Sequence, residues 1–123
     1  MYPDTQHSHY FLMDVDEAIA AASVAKDFIE AWIERFEEQR KQERSERSQW
    51  TWWERFRNGV NHDGSWCDCW KRWEENIPLI RRREDLFLVS RFLLHSRSFD
   101  QTDRKVSISP DLAGLLSPYL KGA

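Results

Sequence analysis

The sequence predicts an all-α fold: a compact small helical domain with a long N-terminal helix and a Trp-rich helical hairpin. The 123 residues include only four glycines and four prolines, whereas a β-sandwich needs frequent turns. Apolar residues recur with helical spacing in two long segments. The strand-like stretch 86–94 has no obvious partner strand except the short stretch 105–108. At this length we expect one domain that spans residues 1–123.

The long helix is predicted over residues 14–49, after an N-terminal arm of residues 1–13. Asp14 is followed three residues later by Glu17, the arrangement of a capping box at a helix start. One helical face then collects the apolar residues Ile19, Ala22, Ile29, Ile33 and Phe36. Residues 37–49 have no hydrophobic side chain and mix acidic with basic ones, which predicts a solvated helical extension or a short bridging helix.

The Trp-rich hairpin is predicted next, because residues 50–73 hold six of the seven tryptophans. In its first helix, Trp50 and Trp53 are three residues apart. Trp52 and Phe56 are four apart and point to a different side of the helix. An Asn-Gly pair at residues 58 and 59 indicates the C-terminal end of this helix.

The second helix of the hairpin is predicted from Ser65, which can act as N-cap three residues before Asp68. Its tryptophans recur at i, i+4 and i+7 and form one stripe of Trp66, Trp70 and Trp73. A stripe of this kind is more often core than interface, so we expect it to pack against the aromatic end of the long helix. Pro78 is expected to end this segment.

A buried helix over residues 79–97 is predicted to follow and to complete the Trp-rich and buried helices of residues 50–97. Its apolar side chains cover much of the helix circumference, which is typical of a buried element. The last segment, residues 98–123, is predicted as a C-terminal loop and a short helix. Ser109 is the expected N-cap of that helix, with Pro110 at its first position.

Charge and cysteine usage indicate the class of protein and its compartment. The net charge is −3, with an acidic N-terminal part and a mildly basic remainder, so the chain lacks the strongly basic balance of a typical DNA-binding protein. No signal peptide and no apolar stretch of bilayer length is recognisable, which predicts a soluble cytoplasmic protein without a membrane partner. Cys67 and Cys69 are too close in sequence to staple the fold, so reduced thiols are expected.

A metal site is the first chemical possibility that the sequence raises, with His62, Cys67 and Cys69 as weak candidates and His7 or His9 as a further ligand. On a helix the two thiols would diverge by about 200°, and one intervening residue is not the usual zinc spacing. We therefore expect no metal and no cofactor. No catalytic motif or nucleophile–base arrangement is recognisable, and the chain is not expected to be an enzyme.

A protein-binding surface is the function that the sequence favours, because tryptophan and arginine concentrate at interface hot spots. The expected partner-binding residues are Trp50, Trp52, Arg55, Arg57, Arg81, Arg82 and Arg83. The chain would then be a non-catalytic regulator or inhibitor that occludes another protein, comparable in size to immunity and phage anti-defence proteins by analogy only. The alternative is a nucleic-acid-binding accessory protein with a Trp/Arg surface. A homodimer through the stripe over residues 15–36 is also possible.

Overall fold

The fold is mostly helical, which confirms the predicted all-α class. In a computed structural model of the chain, residues 11–67, 76–99 and 104–120 are described. These residues form four α-helices, two short strands and two 3₁₀ turns. The strands are β1 (Phe11–Asp14) and β2 (Lys105–Ile108), the helices are α1 (Val15–Ser48), α2 (Trp52–Asn58), α3 (Ile77–His95) and α4 (Pro110–Leu116), and the 3₁₀ turns are Ser96–Ser98 and Ser117–Tyr119.

The chain divides into two compact units. The first unit comprises Met1–Glu30 and Arg83–Ala123, and the second comprises Ala31–Arg82. Helices α1 and α3 each have residues in both units. The sequence-based expectation of one domain over residues 1–123 stays a prediction.

The long helix α1 begins where the sequence predicts it to begin. Oδ1 of Asp14 accepts hydrogen bonds from the backbone N–H groups of Asp16, at 3.0 Å, and Glu17, at 3.2 Å. These bonds satisfy two of the four N–H groups that have no partner within the helix. The helix then runs without interruption to Ser48, one residue short of the predicted end.

The core of the first unit is built from mostly small side chains on α1 and larger ones on the other elements. The buried side chains of this unit are Ala18, Ala21, Ala22, Ala25 and Ile29 of α1, Val89 and Phe92 of α3, Ile108 of β2, and Leu112 and Leu116 of α4. Alanine at four of these positions lets neighbouring backbone approach closely. Leu116 and Val89 are the largest side chains that lose almost all contact with solvent in the described residues.

A two-stranded antiparallel sheet connects the two chain segments of the first unit. This sheet was not predicted. Phe11 of β1 pairs with Ile108 of β2, and a hydrogen bond of 2.8 Å from the Val15 N–H to the Arg104 carbonyl extends the pairing to the start of α1. The last residues of the predicted N-terminal arm therefore form a strand. This correction concerns a contact between distant parts of the chain, which local sequence patterns do not encode.

Two predicted helix starts have different outcomes. Ser109 caps α4 as expected, because its Oγ accepts a hydrogen bond from the Leu112 N–H at 3.3 Å and Pro110 follows at the first position. Helix α3 begins at Ile77 instead of residue 79, so Pro78 lies in its first turn. Proline is compatible with this place because the first N–H groups of a helix have no intrahelical acceptor.

The predicted second helix of the Trp-rich hairpin does not begin at Ser65. Residues 61–65 form a turn, and Trp66 pairs with Val60 in an isolated antiparallel bridge. Ser65 bonds to Asp63 within this turn instead of capping a helix. Trp70 and Trp73, the other members of the predicted stripe, lie outside the described residues.

Candidate interaction surface

Helix α2 is short, but its two ends are fixed by local hydrogen bonds. At the N-terminus, Thr51 Oγ1 accepts a bond from the Glu54 N–H at 3.2 Å, and Glu54 Oε1 accepts one from the Thr51 N–H at 3.3 Å. This reciprocal capping box satisfies two backbone donors. At the C-terminus, Gly59 adopts a left-handed conformation with φ of 70°, as the Asn-Gly pair predicts.

Arg55 ties α2 to the end of α1. Its Nη1 donates a hydrogen bond to the Ser48 carbonyl at 3.3 Å and another to the Trp50 carbonyl. The side chain is half-buried, and it satisfies carbonyls that the end of a helix leaves without a partner. The structure therefore gives Arg55 a positioning role for α2, while its predicted contact with a partner stays a prediction.

Three large aromatic side chains of α2 are exposed to solvent and lie side by side. Trp52 is 68% exposed, Trp53 55% and Phe56 66%. The rings of Trp52 and Phe56 are stacked, with centroids 5.4 Å apart and an angle of 11° between their planes. Trp53 completes the group, with its ring centroid 5.9 Å from Phe56 and 6.2 Å from Trp52. We call these three residues the aromatic surface.

Only one of the seven predicted partner-binding residues, Trp52, belongs to the aromatic surface itself. Trp50 is half-buried in the turn before α2, so it does not share a helical face with Trp53. Arg57 is exposed and lies four residues after Trp53, next to the aromatic surface on the helix. Trp53 and Phe56 are not among the predicted partner-binding residues, although the spacing 52, 53 and 56 places three aromatic residues on one helical face.

The charged end of α1 is more than a solvated extension, because it holds the turn of residues 61–65. The Nη2 of Arg44 donates to Asp63 Oδ2 at 2.7 Å, and the Nε of Arg47 donates to the Gly64 carbonyl at 2.7 Å. The Arg47 guanidinium also lies over the Trp66 ring, 4.6 Å from its centroid. Two arginines of this charge run thus fix the turn that follows α2.

Asp63 has a lowered pKa in this turn. Its Oδ1 accepts a hydrogen bond from the Ser65 hydroxyl at 2.6 Å and one from the Ser65 N–H at 3.0 Å. These bonds lower the pKa of the Asp63 carboxyl well below its usual value, and the Arg44 guanidinium lowers it further. Asp63 is therefore ionised at neutral pH and remains a partner for Arg44.

Of the three predicted arginines of α3, Arg82 contacts an aromatic ring outside the aromatic surface. Arg81, Arg82 and Arg83 are all exposed. The Arg82 guanidinium lies 5.5 Å from the centroid of the Trp32 ring, within the second unit. Trp32 is half-buried and stacks on Phe36 with a centroid distance of 4.9 Å. Arg82 therefore already has an aromatic contact within its own chain.

The weak metal candidates are not brought together by the described residues. His62 is exposed in the turn, Cys67 is half-buried after Trp66, and Cys69 lies outside the described residues, as do His7 and His9. In the part of the chain that the structure describes, no three His, Cys, Asp or Glu side chains are grouped to hold a metal ion. Within residues 11–67, 76–99 and 104–120, no helix has both the length and the apolar character that a membrane span requires.

Comparison with known proteins adds no relative from which a function could be transferred. No family model matches the chain, and no curated protein and no solved structure is significantly similar to it. The geometry of the described residues is therefore the basis for assigning a function.

Proposed function

We propose that the chain is a non-catalytic cytoplasmic regulator or inhibitor that binds another protein through the aromatic surface and occludes it. The observation that carries this proposal is the exposure of Trp52, Trp53 and Phe56, each more than half accessible to solvent. Large apolar side chains that adjoin one another at a protein surface usually mark a binding site. Tryptophan is also the residue type most enriched at interface hot spots.

The aromatic surface is preorganised, which supports a tight interface. The three rings pack on one another, and the capping box at Thr51 and the left-handed Gly59 fix the ends of α2. Arg55 fixes the position of the helix relative to the end of α1. Few side-chain torsions of the aromatic surface therefore have to be fixed when a partner binds. This lowers the entropic cost of association.

The charge beside the aromatic surface indicates the chemistry of the partner. Arg57 is exposed on the border of the surface, whereas Glu54 on the opposite side is engaged with Thr51. An apolar pocket on the partner with a carboxylate at its edge would complement these groups. Such a carboxylate could accept a charge-assisted bond from the Arg57 guanidinium. The cytoplasmic location is supported by the close spacing of the two cysteines, which does not suit a structural disulfide.

Ring stacking within the chain favours a protein partner over a nucleic acid. Single-strand binders present free aromatic faces on which bases stack. Here the rings of Trp52 and Phe56 use one face each for their mutual contact at 5.4 Å. Arg55 directs its guanidinium to carbonyls of its own chain instead of a phosphate track.

The experiment is an affinity purification of the tagged full chain from its native host, with and without nuclease, read by mass spectrometry. Three baits are compared: the wild type, Trp52→Ala and the matched control Phe87→Ala. Phe87 is 66% exposed and lies in the first unit, away from α2 in sequence. We expect a nuclease-resistant protein that the wild type and Phe87→Ala retain and Trp52→Ala loses, and whose activity falls when the purified chain is added.

Two results would contradict the proposed function. A protein retained equally by all three baits would show that the aromatic surface is not the interface. Recovery of nuclease-sensitive complexes alone would show that the chain acts on nucleic acid.

A further inference from the structure

The first unit contains a cavity with apolar walls that is open to solvent over much of its extent. Its volume is about 280 Å³. It is lined by the second half of α3, by Phe99, by β2 and by the start of α4. Six of the side chains that line it are apolar: Leu88, Phe92, Phe99, Val106, Ile108 and Leu112. Phe92, Ile108 and Leu112 are buried, so they form the inner wall, and the other three are half-buried.

Two side chains of α3 that can donate N–H hydrogen bonds line the same cavity where it opens to solvent. Arg91 and His95 are four residues apart, so they lie on one face of the helix, and both are exposed. No acidic side chain is among the described residues that line the cavity. Within residues 11–67, 76–99 and 104–120, no ion pair engages Arg91.

We propose that this cavity binds a small amphipathic monocarboxylate, whose apolar part is a short alkyl chain or a single ring. The apolar part would lie against Phe92 and Ile108, and the carboxylate would face Arg91 at the opening. Arginine suits this role because its guanidinium is always charged and its fork of N–H groups matches the two oxygens of a carboxylate. The His95 ring supplies a further N–H donor.

The shape of the cavity supports a ligand of this size and polarity. Ligand sites for drug-sized molecules usually have volumes of roughly 300–1,000 Å³, so a cavity slightly below this range suits a smaller molecule. Mostly apolar walls with a few polar groups at one end are typical of such sites. The Phe92 and Phe99 rings contact each other in this wall, with centroids 5.6 Å apart and planes at 50°, so aromatic carbon makes up part of the lining.

This inference is independent of the proposed function, because the cavity belongs to the first unit and the aromatic surface to the second. The test is isothermal titration calorimetry of the full chain with octanoate, and with octan-1-ol and octylamine as neutral and cationic probes of equal chain length. For a ligand of this size, we expect octanoate to bind with a dissociation constant below about 1 mM. Octylamine should bind at least about tenfold more weakly, because Arg91 would repel its charge.

Variants locate the binding site. We expect Arg91→Ala to weaken octanoate binding by at least about tenfold and to leave octan-1-ol binding unchanged, since only the carboxylate needs the guanidinium. Arg97→Ala, an exposed arginine in the adjacent 3₁₀ turn, is the matched control and should bind as the wild type does. Val106→Phe should abolish binding by filling the cavity, with its unfolding midpoint recorded beside it. Trp52→Ala should leave octanoate binding unchanged.

Three results would overturn the proposal. The first is no binding of octanoate at 10-fold the expected dissociation constant, about 10 mM. The second is equal binding of octanoate and octylamine. The third is an Arg91→Ala affinity equal to that of the Arg97→Ala control, which would hold even if Val106→Phe failed to fold.

Discussion

Replacing Gly64 with alanine tests how the turn after α2 is held on the end of α1. Gly64 is buried and has a φ of 89°, a backbone conformation that side chains rarely adopt. A Cβ atom there would lie 2.0 Å from the Arg44 carbonyl oxygen and 3.0 Å from the Ser48 nitrogen. Both are backbone atoms of α1, so no side-chain rotation relieves the clash. The turn must therefore leave the helix.

The cost follows from the contacts that hold the turn. Detachment breaks the bond from the Arg47 Nε to the Gly64 carbonyl, and a hydrogen bond with a charged donor contributes about 1.5–3 kcal/mol. It also removes the Arg47 guanidinium from the Trp66 ring, a contact that contributes about 0.5–1 kcal/mol. We predict that Gly64→Ala lowers the free energy of unfolding of the second unit by about 3 kcal/mol.

Urea denaturation followed by tryptophan fluorescence measures this loss. All seven tryptophans lie within Ala31–Arg82, so their emission reports on the second unit. With a urea dependence of about 2 kcal/mol per M, the midpoint should fall by about 1.5 M.

Gly114→Ala is the matched control, because a Cβ atom at Gly114 meets nothing within 4 Å. Gly114 lies inside α4, where alanine is favoured over glycine by about 0.5–1 kcal/mol, so this change should stabilise the first unit slightly. Equal midpoints for Gly64→Ala and the wild type would refute the reasoning that the turn is packed against the backbone of α1.

Three further substitutions, two of them with a matched control, have expected outcomes. Arg55→Ala should lower the unfolding free energy by about 1–3 kcal/mol in urea titrations, since it leaves helix-end carbonyls without their charged donor. Arg57→Ala should stay within about 0.5 kcal/mol of the wild type, and equal losses for both would contradict these roles. Ser109→Ala should lower the free energy of unfolding, measured by thermal denaturation, by about 1 kcal/mol through loss of the α4 cap. Ser107→Ala, at an exposed position of β2, should leave it unchanged. The folded-state pKa of Asp63 is lowered, so the stability that its carboxylate contributes is present above the unfolded pKa of about 3.9 and is lost as pH falls below it. The stability difference between the wild type and Asp63→Asn should therefore shrink from pH 6 to pH 2.5, and a constant difference would contradict the lowered pKa.

The element boundaries that sequence predicts well are those set by bonds between near neighbours. Asp14 caps α1 through N–H groups two and three residues later, and Ser109 caps α4 through the N–H three residues later. The left-handed Gly59 ends α2 after Asn58. Each signal is complete within a few residues, so the sequence shows it directly.

The pairing of β1 with β2 could not be predicted in the same way. Phe11 and Ile108 meet from opposite ends of the chain, and neither strand has more than four residues. Strands this short show little alternation of apolar and polar residues. Which strand pairs with which therefore depends on tertiary packing and not on the local sequence. Pro78 shows a related limit, because the same residue is compatible with a helix end and with the first turn of the next helix.

The candidate site was predicted in composition but not in geometry. The concentration of tryptophan identified the region of α2, yet spacing alone does not show which helical face meets solvent. Trp53 and Phe56 thus became visible as partners of Trp52 only through their exposure and ring contacts. Arg44 gives the opposite case, since a charged residue predicted to be solvated binds Asp63 in a turn 19 residues later.

The most direct test of the aromatic surface is the dissociation constant between the purified chain and its captured partner, measured by calorimetry for the wild type, Trp52→Ala and Phe87→Ala. We predict that Trp52→Ala weakens binding by about 30-fold or more, the effect of losing a hot-spot residue worth about 2 kcal/mol, with an unchanged urea midpoint. Phe87→Ala should remain within about twofold of the wild type. Equal dissociation constants for all three proteins would contradict the assignment of the aromatic surface as the interface.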